Sequence, residues 1–487
     1  MQVIHDPIHG TIKICEKAKA VINHPGFQRL RRVKALGFLD RVFPGAKHSR
    51  FEHSIGAYHI AKLLINSIKK VHEEVRMKNQ GCLENSEFIL LNEQELEDIL
   101  SPLQDYVAIA ALLHDVGHGP FSHASESVMP EIDKLVEENK EGSSNFVIEA
   151  LRNKKKHNLK KKKKTKADHE DYSLLIMDKI LRDLKWTKNE IQLVSALKYE
   201  HVEVPESFSK TTVSLLRLLV DGELDSDRMD YLLRDSHFCG VPYGKYDLNR
   251  LRDGLCIVKH QSKGFYQFGI MRKSLSAFED FLFSRYQMHV QVYSHRTDAN
   301  CNKIFDVLCS REEKPYELPP NVDKYLLVDD ESFIHQDNVP KELIEVIRER
   351  KLWYLGFESF GNDKSLEQVI ENKFKKSIDD GFYAIYTSEK AIKKPSLLDF
   401  PIICKSFVRK KLVSDNMKSI SDLIAHYNGS FSVRRIFYHP KFKDVVDKIY
   451  EEVSRAAIVD MIQETKQDLE NLSENDEAIS PKAVDKN

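Results

Sequence analysis

A chain of 487 residues with 41% hydrophobic and 31% charged residues is globular, and its length suits about two to four domains. The net charge of −1 excludes a global basic field that would hold nucleic acid or an anionic membrane, so any phosphate binding must come from local clusters. Seven scattered cysteines without a CxxC pair read as reduced thiols; with a first stretch, MQVIHDPIHG, unlike a signal peptide and no apolar run near the roughly 18 residues of a membrane helix, the expected location is the cytoplasm.

Met1 to Phe51 is turn-rich and basic, with Arg29, Arg31, Arg32, Lys34, Arg41, Lys47 and Arg50 spread through it. It predicts a hairpin and a short helix, either solvated or forming a surface that meets phosphate groups. His53 opens the next helix, where Ile60, Leu63, Leu64, Ile68 and Val71 recur at helical spacing. Glu73 to Ser101 is polar and predicts a loop with one short helix. Tyr106 to Leu113 has no polar group and predicts a helix buried on all sides, delivering His114 and Asp115 together at its end. Burying that pair is costly unless a partner satisfies both, and a divalent metal does so. Gly117 and Gly119 are expected to break the helix and Pro120 to stiffen its exit, so that His118 and His123 leave on a bent segment near the first pair.

Asn153 to Lys166, NKKKHNLKKKKKTK, repels itself and predicts a disordered loop, with attraction to nucleic acid or polyphosphate as the alternative. His169 and Glu170 precede a helix whose apolar side carries Leu174, Leu175, Met177, Ile180 and Leu181. Within Thr211 to Asp235, Asp227, Tyr231 and Asp235 share one helical face, flanked by Arg228 and Arg234. Arg285, His289 and Tyr293 repeat every four residues in the same way, and a face carrying cation, imidazole and phenol suits a triphosphate and a sugar. After about Glu331 two helical stretches (Lys341 to Trp353, Ser365 to Asp379) alternate with the strand-like GFYAIYTS, FPIICKSFV and FSVRRIFYH. The expected fold is mainly α: a helical core over 1–330, a smaller C-terminal α+β lobe over 331–463, and an acidic tail over 464–487. There is no internal repeat and no Walker or GxGxxG motif.

Four metal-ligand candidates thus stand on helices: His53, His114, Asp115 and Asp227. Imidazoles mixed with carboxylates accept a divalent ion of several kinds (Mn, Mg, Fe, Zn or Ni), which acidifies water and polarises a phosphoryl oxygen. His118, His123 and His169 are candidates for proton transfer and phosphate contact, with Glu126 and Glu170 orienting the imidazoles.

The order H…HD…D in His53, His114, Asp115 and Asp227 resembles the HD superfamily of metal-dependent phosphohydrolases. The runs DPIHG, FQRLRR, FPGAKHSRFEHSIG, LLHDVGHGPFSH and DRMDYLLRDSHFCGV extend the resemblance, over about Val3 to Arg296, to its deoxynucleoside triphosphate (dNTP) triphosphohydrolase branch. That branch includes the HD core of the sterile-alpha-motif and HD-domain dNTPases and bacterial dGTPase-like relatives, and the chain is expected to begin at that core. The resemblance implies an HD-domain helical core in which those four residues hold the metal, His118 contacts the α-phosphate and His123 protonates the leaving 5′ oxygen. Glu126 stands where the family has an aspartate, and His169 and Glu170 match a His-Glu pair. Arg50, Arg228, Tyr231 and Arg285 match phosphate contacts, Asp235 a contact to the sugar 3′ hydroxyl, and Tyr293 the aromatic that packs where a ribose 2′ hydroxyl would go. The implied reaction is dNTP plus water to deoxynucleoside plus triphosphate.

His5, Asn23, Gln28, Arg31 and Arg250 match the family's regulatory nucleotide pocket, and Asn23 replaces an aspartate that reads guanine, which implies an activating nucleotide with altered base preference. Ala35 replaces a glutamine that helps hold the sugar. A homo-tetramer or other homo-oligomer is implied, with no membrane partner. The alternatives are another HD phosphohydrolase (a nucleotidase or phosphodiesterase), or a nucleotide-sensing or nucleic-acid-binding protein with a silent HD site, in which the lysine block binds.

Overall fold

The computed structural model describes residues 2–77, 88–161, 165–311, 315–360, 364–379, 381–390, 401–405, 412–416 and 431–454. The fold is mainly α-helical, with a smaller sheet-containing C-terminal part. No helix among the described residues is long and apolar enough to cross a membrane. The tail expected to fray, 464–487, lies outside the described residues.

The chain opens with an antiparallel hairpin, β1 (Gln2–Asp6) and β2 (Gly10–Ile14). Its turn forms because Asp6 Oδ1 accepts the backbone N–H of Ile8 and of His9, both at 2.9 Å, and Gly10 takes φ +68°. Helix Arg50–Met77 follows and is the spine of the larger unit: Ile55, Ala57, Ile60, Ala61, Leu64 and Ile68 are all buried. Against it lies helix Gln104–Leu113, in which Val107 to Leu113 are buried, while Tyr106 keeps its hydroxyl near the surface and donates to Glu190. The last turns of the long helix bury Val71 and Val75 on a mixed sheet, of which the sequence suggested only the strand within FPIICKSFV, and suggested it for the C-terminal lobe rather than for this larger unit. That sheet has the order β3 (Phe88–Leu90), β4 (Leu255–His260), β5 (Tyr266–Met271), β8 (Pro401–Lys405), β9 (Leu412–Asn416), and only β5 and β8 run parallel.

Two compact units divide at Leu352: Met1–Leu352 with Glu389–Phe431, and Trp353–Ser388 with Ser432–Asn487. Helix Lys341–Glu349 thus belongs to the larger unit, where the sequence expectation had drawn its boundary at 330. The smaller unit is a three-stranded sheet ordered β6 (Tyr354–Phe360), β10 (Phe431–Tyr438), β7 (Tyr383–Lys390). Helix Lys364–Ser377 packs Ile370 and Phe374 on Ile436 and Tyr438 of that sheet.

The lysine block departs from the expected disordered loop, because helix Asn145–Lys160 runs through its first half. Phe146, Val147, Ile148, Ala150 and Leu151 anchor the helix by burial, and Lys154 lies 2.8 Å from Asp168 and 2.9 Å from Asp171, which relieves the repulsion. Residues 162–164 lie outside the described residues. In the first basic segment Arg29 is buried and donates to the carbonyls of Val328 and His118 at 2.8 Å, Arg32 pairs with Asp329 and Lys34 with Asp40, while Arg50 lines the cleft described below.

One buried imidazole reports on the sheet. His72 Nδ1 lies 3.3 Å from Leu91 O while Nε2 accepts the Ile257 N–H at 3.2 Å, an arrangement that needs the neutral ring. Burial lowers its pKa to about 4, against 6.5 when exposed. The folded pKa is depressed, so the unfolded chain binds the proton first and stability is lost as pH falls from 6.5 towards 4. We expect His72 to contribute a loss of about 2 kcal/mol by pH 5. Chemical unfolding of the wild type and of His72→Gln across pH 5–8 checks this, the variant showing a flatter profile.

Candidate metal centre and adjoining cleft

The four predicted ligands converge. His53 comes from the first turn of the long helix, His114 and Asp115 from the end of Gln104–Leu113, and Asp227 from the start of Ser226–Cys239, which Asp225 caps by accepting the Arg228 N–H at 2.7 Å. His53 Nε2 lies 2.9 Å from Asp227 Oδ1 and 3.6 Å from Asp115 Oδ2, and His114 Nε2 lies 3.4 Å from both Asp115 Oδ1 and Asp227 Oδ1.

Both Nε2 atoms are buried, and neither has a well-directed hydrogen bond. Their Nδ1 atoms are committed elsewhere, His53 to Asp230 Oδ2 at 2.8 Å and His114 to Ala111 O at 2.7 Å. Tautomer and ring orientation are thereby fixed with both Nε2 lone pairs aimed at the carboxylates, the arrangement a divalent cation requires. Burial by itself would lower the two imidazole pKa values. The hydrogen bonds and charges of Asp227 and Asp230 instead push His53 up to about 9, and those of Asp115 and Asp227 push His114 up to about 10. The same imidazoles, with Arg50, hold Asp115 well below the usual carboxylate range despite its burial. An acid-rich pocket that binds positive charge this strongly, with two orphaned imidazole nitrogens, fits a divalent ion.

Beside the ligands stands a histidine cluster. His118 and His169 stack with ring centroids 3.9 Å apart, and His123 meets them edge-on at 4.9 and 5.2 Å. Glu126 Oε1 accepts from Nδ1 of both His123, at 2.8 Å, and His169, at 2.5 Å, and those two hydrogen bonds hold its carboxyl well below the usual range in spite of partial burial. His123 is exposed. Glu170 does not share the orienting role expected of it: it turns away to Lys198 Nζ at 3.2 Å, a buried ammonium that also meets Asp221 at 3.3 Å.

The backbone explains how so much chemistry fits. Gly117 does not have positive φ; a Cβ there would sit 2.1 Å from Ser173 N and 2.5 Å from His169 O, so the missing side chain lets helix His169–Asp183 press against the HD segment. The left-handed turn falls instead on Phe121 and Ser122, each at φ 56°, and Asp330 Oδ1 holds it by accepting the Phe121 N–H at 2.8 Å.

A cleft of about 340 Å³ opens beside these groups, and Arg50, His53, His123, Tyr231, Asp235, His289 and Tyr293 contribute to its lining. Arg50 is held there by Asp115, by Ser122 Oγ at 3.0 Å and by Ala35 O at 3.1 Å. Asp235 receives Tyr293 Oη at 2.7 Å on one oxygen and His48 Nε2 at 2.9 Å on the other. The expected single stripe of Arg285, His289 and Tyr293 is interrupted: the α-helix ends at Met288 and His289–Tyr293 forms a π-helical turn, so His289 and Tyr293 reach the cleft while Arg285 pairs with Glu223 at 2.8 Å. Arg228 pairs with its own helix cap, Asp225. Of the regulatory set, Gln28 and Arg31 are joined at 2.8 Å and Arg31 stacks on Phe51. His5 hydrogen-bonds Thr11, Asn23 ends the helix Glu16–Asn23, and Arg250 lies on the separate helix Leu248–Arg252.

The sequence reading missed Asp230, His9 and His48. His9 was within the quoted DPIHG, and Asp230 sits three residues after a ligand and four before a buried arginine, a spacing that could have flagged it. Because Asp230 both orients His53 and neutralises Arg234, Asp230→Asn is expected to lower stability by roughly 3–5 kcal/mol and to reduce bound metal at least about tenfold. Calorimetry and metal analysis of the purified variant check both.

Residues 50–206 match the HD domain family. The chain is 28% identical over 324 residues to the uncharacterised protein YwfO of Bacillus subtilis, covering 65% of this chain and 57% of that one. It is 29% identical over 302 residues to the human deoxynucleoside triphosphate triphosphohydrolase SAMHD1, covering 61% and 42%. The chain therefore spans about half the length of these curated relatives. Among solved structures, a hypothetical protein from Aquifex aeolicus superposes with a TM-score of 0.65 at 24% identity over 91% of this chain and 98% of that one, a likeness of fold. Residues 50–206 thus match the HD domain family, and about three-fifths of the chain is similar to the human deoxynucleoside triphosphate triphosphohydrolase SAMHD1.

Proposed function

We propose that this chain is a metal-dependent dNTP triphosphohydrolase that cleaves a dNTP into deoxynucleoside and inorganic triphosphate. The observation that carries the reading is one cleft lined together by His53 of the donor set, His123 of the Glu-linked histidine pair and the Tyr293–Asp235 pair, with His114, Asp115 and Asp227 beside His53. The similarity to deoxynucleoside triphosphate triphosphohydrolases supports it. His53, His114, Asp115 and Asp227 would hold a divalent ion, which would supply Lewis acidity for phosphoryl chemistry.

The chain's own residues do the rest. Exposed His123, its Nδ1 fixed by Glu126, presents Nε2 as the proton donor to the leaving 5′ oxygen and regains that proton from solvent, while His169, tied to the same carboxylate oxygen, holds Glu126 in place. His118, stacked on His169, faces the α-phosphate. Arg50 contributes fixed positive charge, while Arg228 and Arg285 exchange Asp225 and Glu223 for β- and γ-phosphate oxygens. Asp235, preset by His48 and Tyr293, accepts the sugar 3′ hydroxyl, and the Tyr293 ring, 6.0 Å from Tyr231, fills the space a 2′ hydroxyl needs. His5, Asn23, Gln28, Arg31 and Arg250 form a regulatory nucleotide site that promotes a homo-oligomer.

Chromatography of products after incubation with Mn²⁺ and each dNTP, singly and mixed, tests the reaction. Deoxynucleoside and intact triphosphate are expected, absent in His114→Ala and reduced roughly 10²–10⁴-fold in His123→Ala. Monophosphate and pyrophosphate would place the cut at a different bond. Light scattering tests the regulatory site: mass should rise above that of one chain on adding nucleotide, and an unchanged monomer would overturn that part.

A further inference from the structure

The turn that follows His114 and Asp115 is gripped by chain that lies outside residues 50–206. The grip comes from a short strap, Tyr325 to Asp330, which joins helix Val322–Tyr325 to helix Asp330–Phe333. Its hydrogen bonds fall on the backbone of the turn. Tyr325 Oη donates to Gly117 O at 2.7 Å, and Asp330 Oδ1 accepts the Phe121 N–H at 2.8 Å. Between these two, Arg29 Nη1 donates to His118 O at 2.8 Å. Arg29 comes from the other flank of the matched segment, and its Nε donates at 2.8 Å to Val328 O within the strap, so one planar guanidinium joins strap and turn. Asp330 Oδ2 closes the frame by accepting the Lys34 N–H at 3.1 Å.

This is a costly way to fill a core. Arg29 is 1% exposed and burial pulls its pKa down, while the nearby carboxylates are otherwise engaged: Asp329 with Arg32, Asp330 with two backbone N–H groups. The Tyr325 ring stacks on Tyr172 at 3.8 Å and meets the Arg29 guanidinium at 4.9 Å, which holds both donors in one orientation. What these bonds fix is position. Gly117 O, His118 O and the Phe121 N–H bracket the histidine that stacks on His169 and the strained Phe121–Ser122 pair that precedes His123. The candidate metal ligands are oriented by other partners: His114 by Ala111 O, His53 by Asp230 and Asp115 by Arg50. We infer that Arg29, Tyr325 and Asp330 are positioning residues, which set His118 and His123 for reaction without serving the metal centre. The inference rests on the triphosphohydrolase reading of the same cleft.

Tyr325→Phe removes one hydrogen bond and keeps the ring. Tyr172→Phe is its matched control, because Tyr172 is just as buried and its hydroxyl donates at 2.8 Å to Pro319 O, outside the turn. Both variants should lose a similar amount of thermal stability, about 2 °C in melting temperature. Only Tyr325→Phe should lower kcat for deoxynucleoside release, roughly tenfold, with KM and bound Mn²⁺ unchanged. Arg29→Lys, which keeps the charge but not the fork that bridges two carbonyls, should do the same. In Mg²⁺-loaded protein labelled at histidine Cε1, the NMR signals of His118 and His169 carry the mutual ring shift of their 3.9 Å stack. They should move in Tyr325→Phe and stay in Tyr172→Phe, with the His53 signal fixed in both. Any one of three results overturns the inference: an unchanged kcat in folded Tyr325→Phe, an equal loss of kcat in Tyr172→Phe, or unmoved His118 and His169 signals in Tyr325→Phe. Wild-type protein that forms no deoxynucleoside overturns the triphosphohydrolase reading instead, and the histidine signals then decide the role of the strap by themselves.

Discussion

The fully buried carboxylate of Asp230 ties three separate parts of the chain to one point. Its Oδ2 takes His53 Nδ1 and Arg234 Nε, and its Oδ1 takes His9 Nε2 at 2.6 Å and Arg234 Nη2 at 2.9 Å. Arg234 continues to Asp6 at 2.9 Å, and Asp6 folds the first hairpin. Ions this deep are tolerable only when well paired, and here both Asp230 oxygens and all three Arg234 nitrogens have hydrogen-bond partners. The helix beneath must come close enough for this to happen: at Gly56 a Cβ would lie 1.9 Å from Asp230 Oδ1. The hairpin, the long helix and helix Ser226–Cys239 are therefore fixed to one another through the group that also orients a candidate metal ligand.

The histidine cluster depends on the same kind of close approach. Gly117 allows helix His169–Asp183 to lie against the HD turn, and Tyr325 Oη clamps that turn from the far side by donating to Gly117 O at 2.7 Å. His118 and His169 can stack at 3.9 Å only because of this contact. The strain of two successive non-glycine residues at positive φ, Phe121 and Ser122, is held by hydrogen bonds from both sides. Asp330 takes the Phe121 N–H, and Ser122 Oγ donates to Lys34 O at 2.6 Å while accepting Arg50 Nε. That turn sets where His123 emerges, so rigidity there fixes the position of a histidine that lines the cleft.

The spacing of residues within a single helix was legible from the sequence. The buried run Val107–Leu113 delivering His114 and Asp115, the shared face of Asp227, Tyr231 and Asp235, and His53 on a helix's first turn follow from periodicity that each segment carries by itself. Errors arose where a partner from elsewhere in the chain decided the outcome. Lysines 154 and 155 read as self-repelling until Asp168, Asp171 and Asp133 are brought beside them. Glu170 reads with Glu126 as an orienting carboxylate until Lys198 claims it, which leaves Glu126 alone to hold His123 and His169. A four-residue repeat through Tyr293 reads as one stripe, but the helix widens into a π turn at His289.

By itself the sequence determined a mainly helical chain, the His–Asp donor candidates and several residues that line one cleft, among them Arg50, Tyr231, Asp235 and Tyr293, because those depend on residue type and on order along one helix or one motif. Tertiary structure alone decided which carboxylate serves which imidazole, that Asp230 rather than a candidate ligand anchors the buried network, and that Asp298 and Asn302 share the cleft lining with Tyr293. The reason is the range of the forces involved. Hydrophobic periodicity is written over a few neighbouring residues, whereas a hydrogen bond or ion pair needs its partners within about 3 Å, and separations such as the 177 residues between His53 and Asp230 are bridged only once the helices have packed.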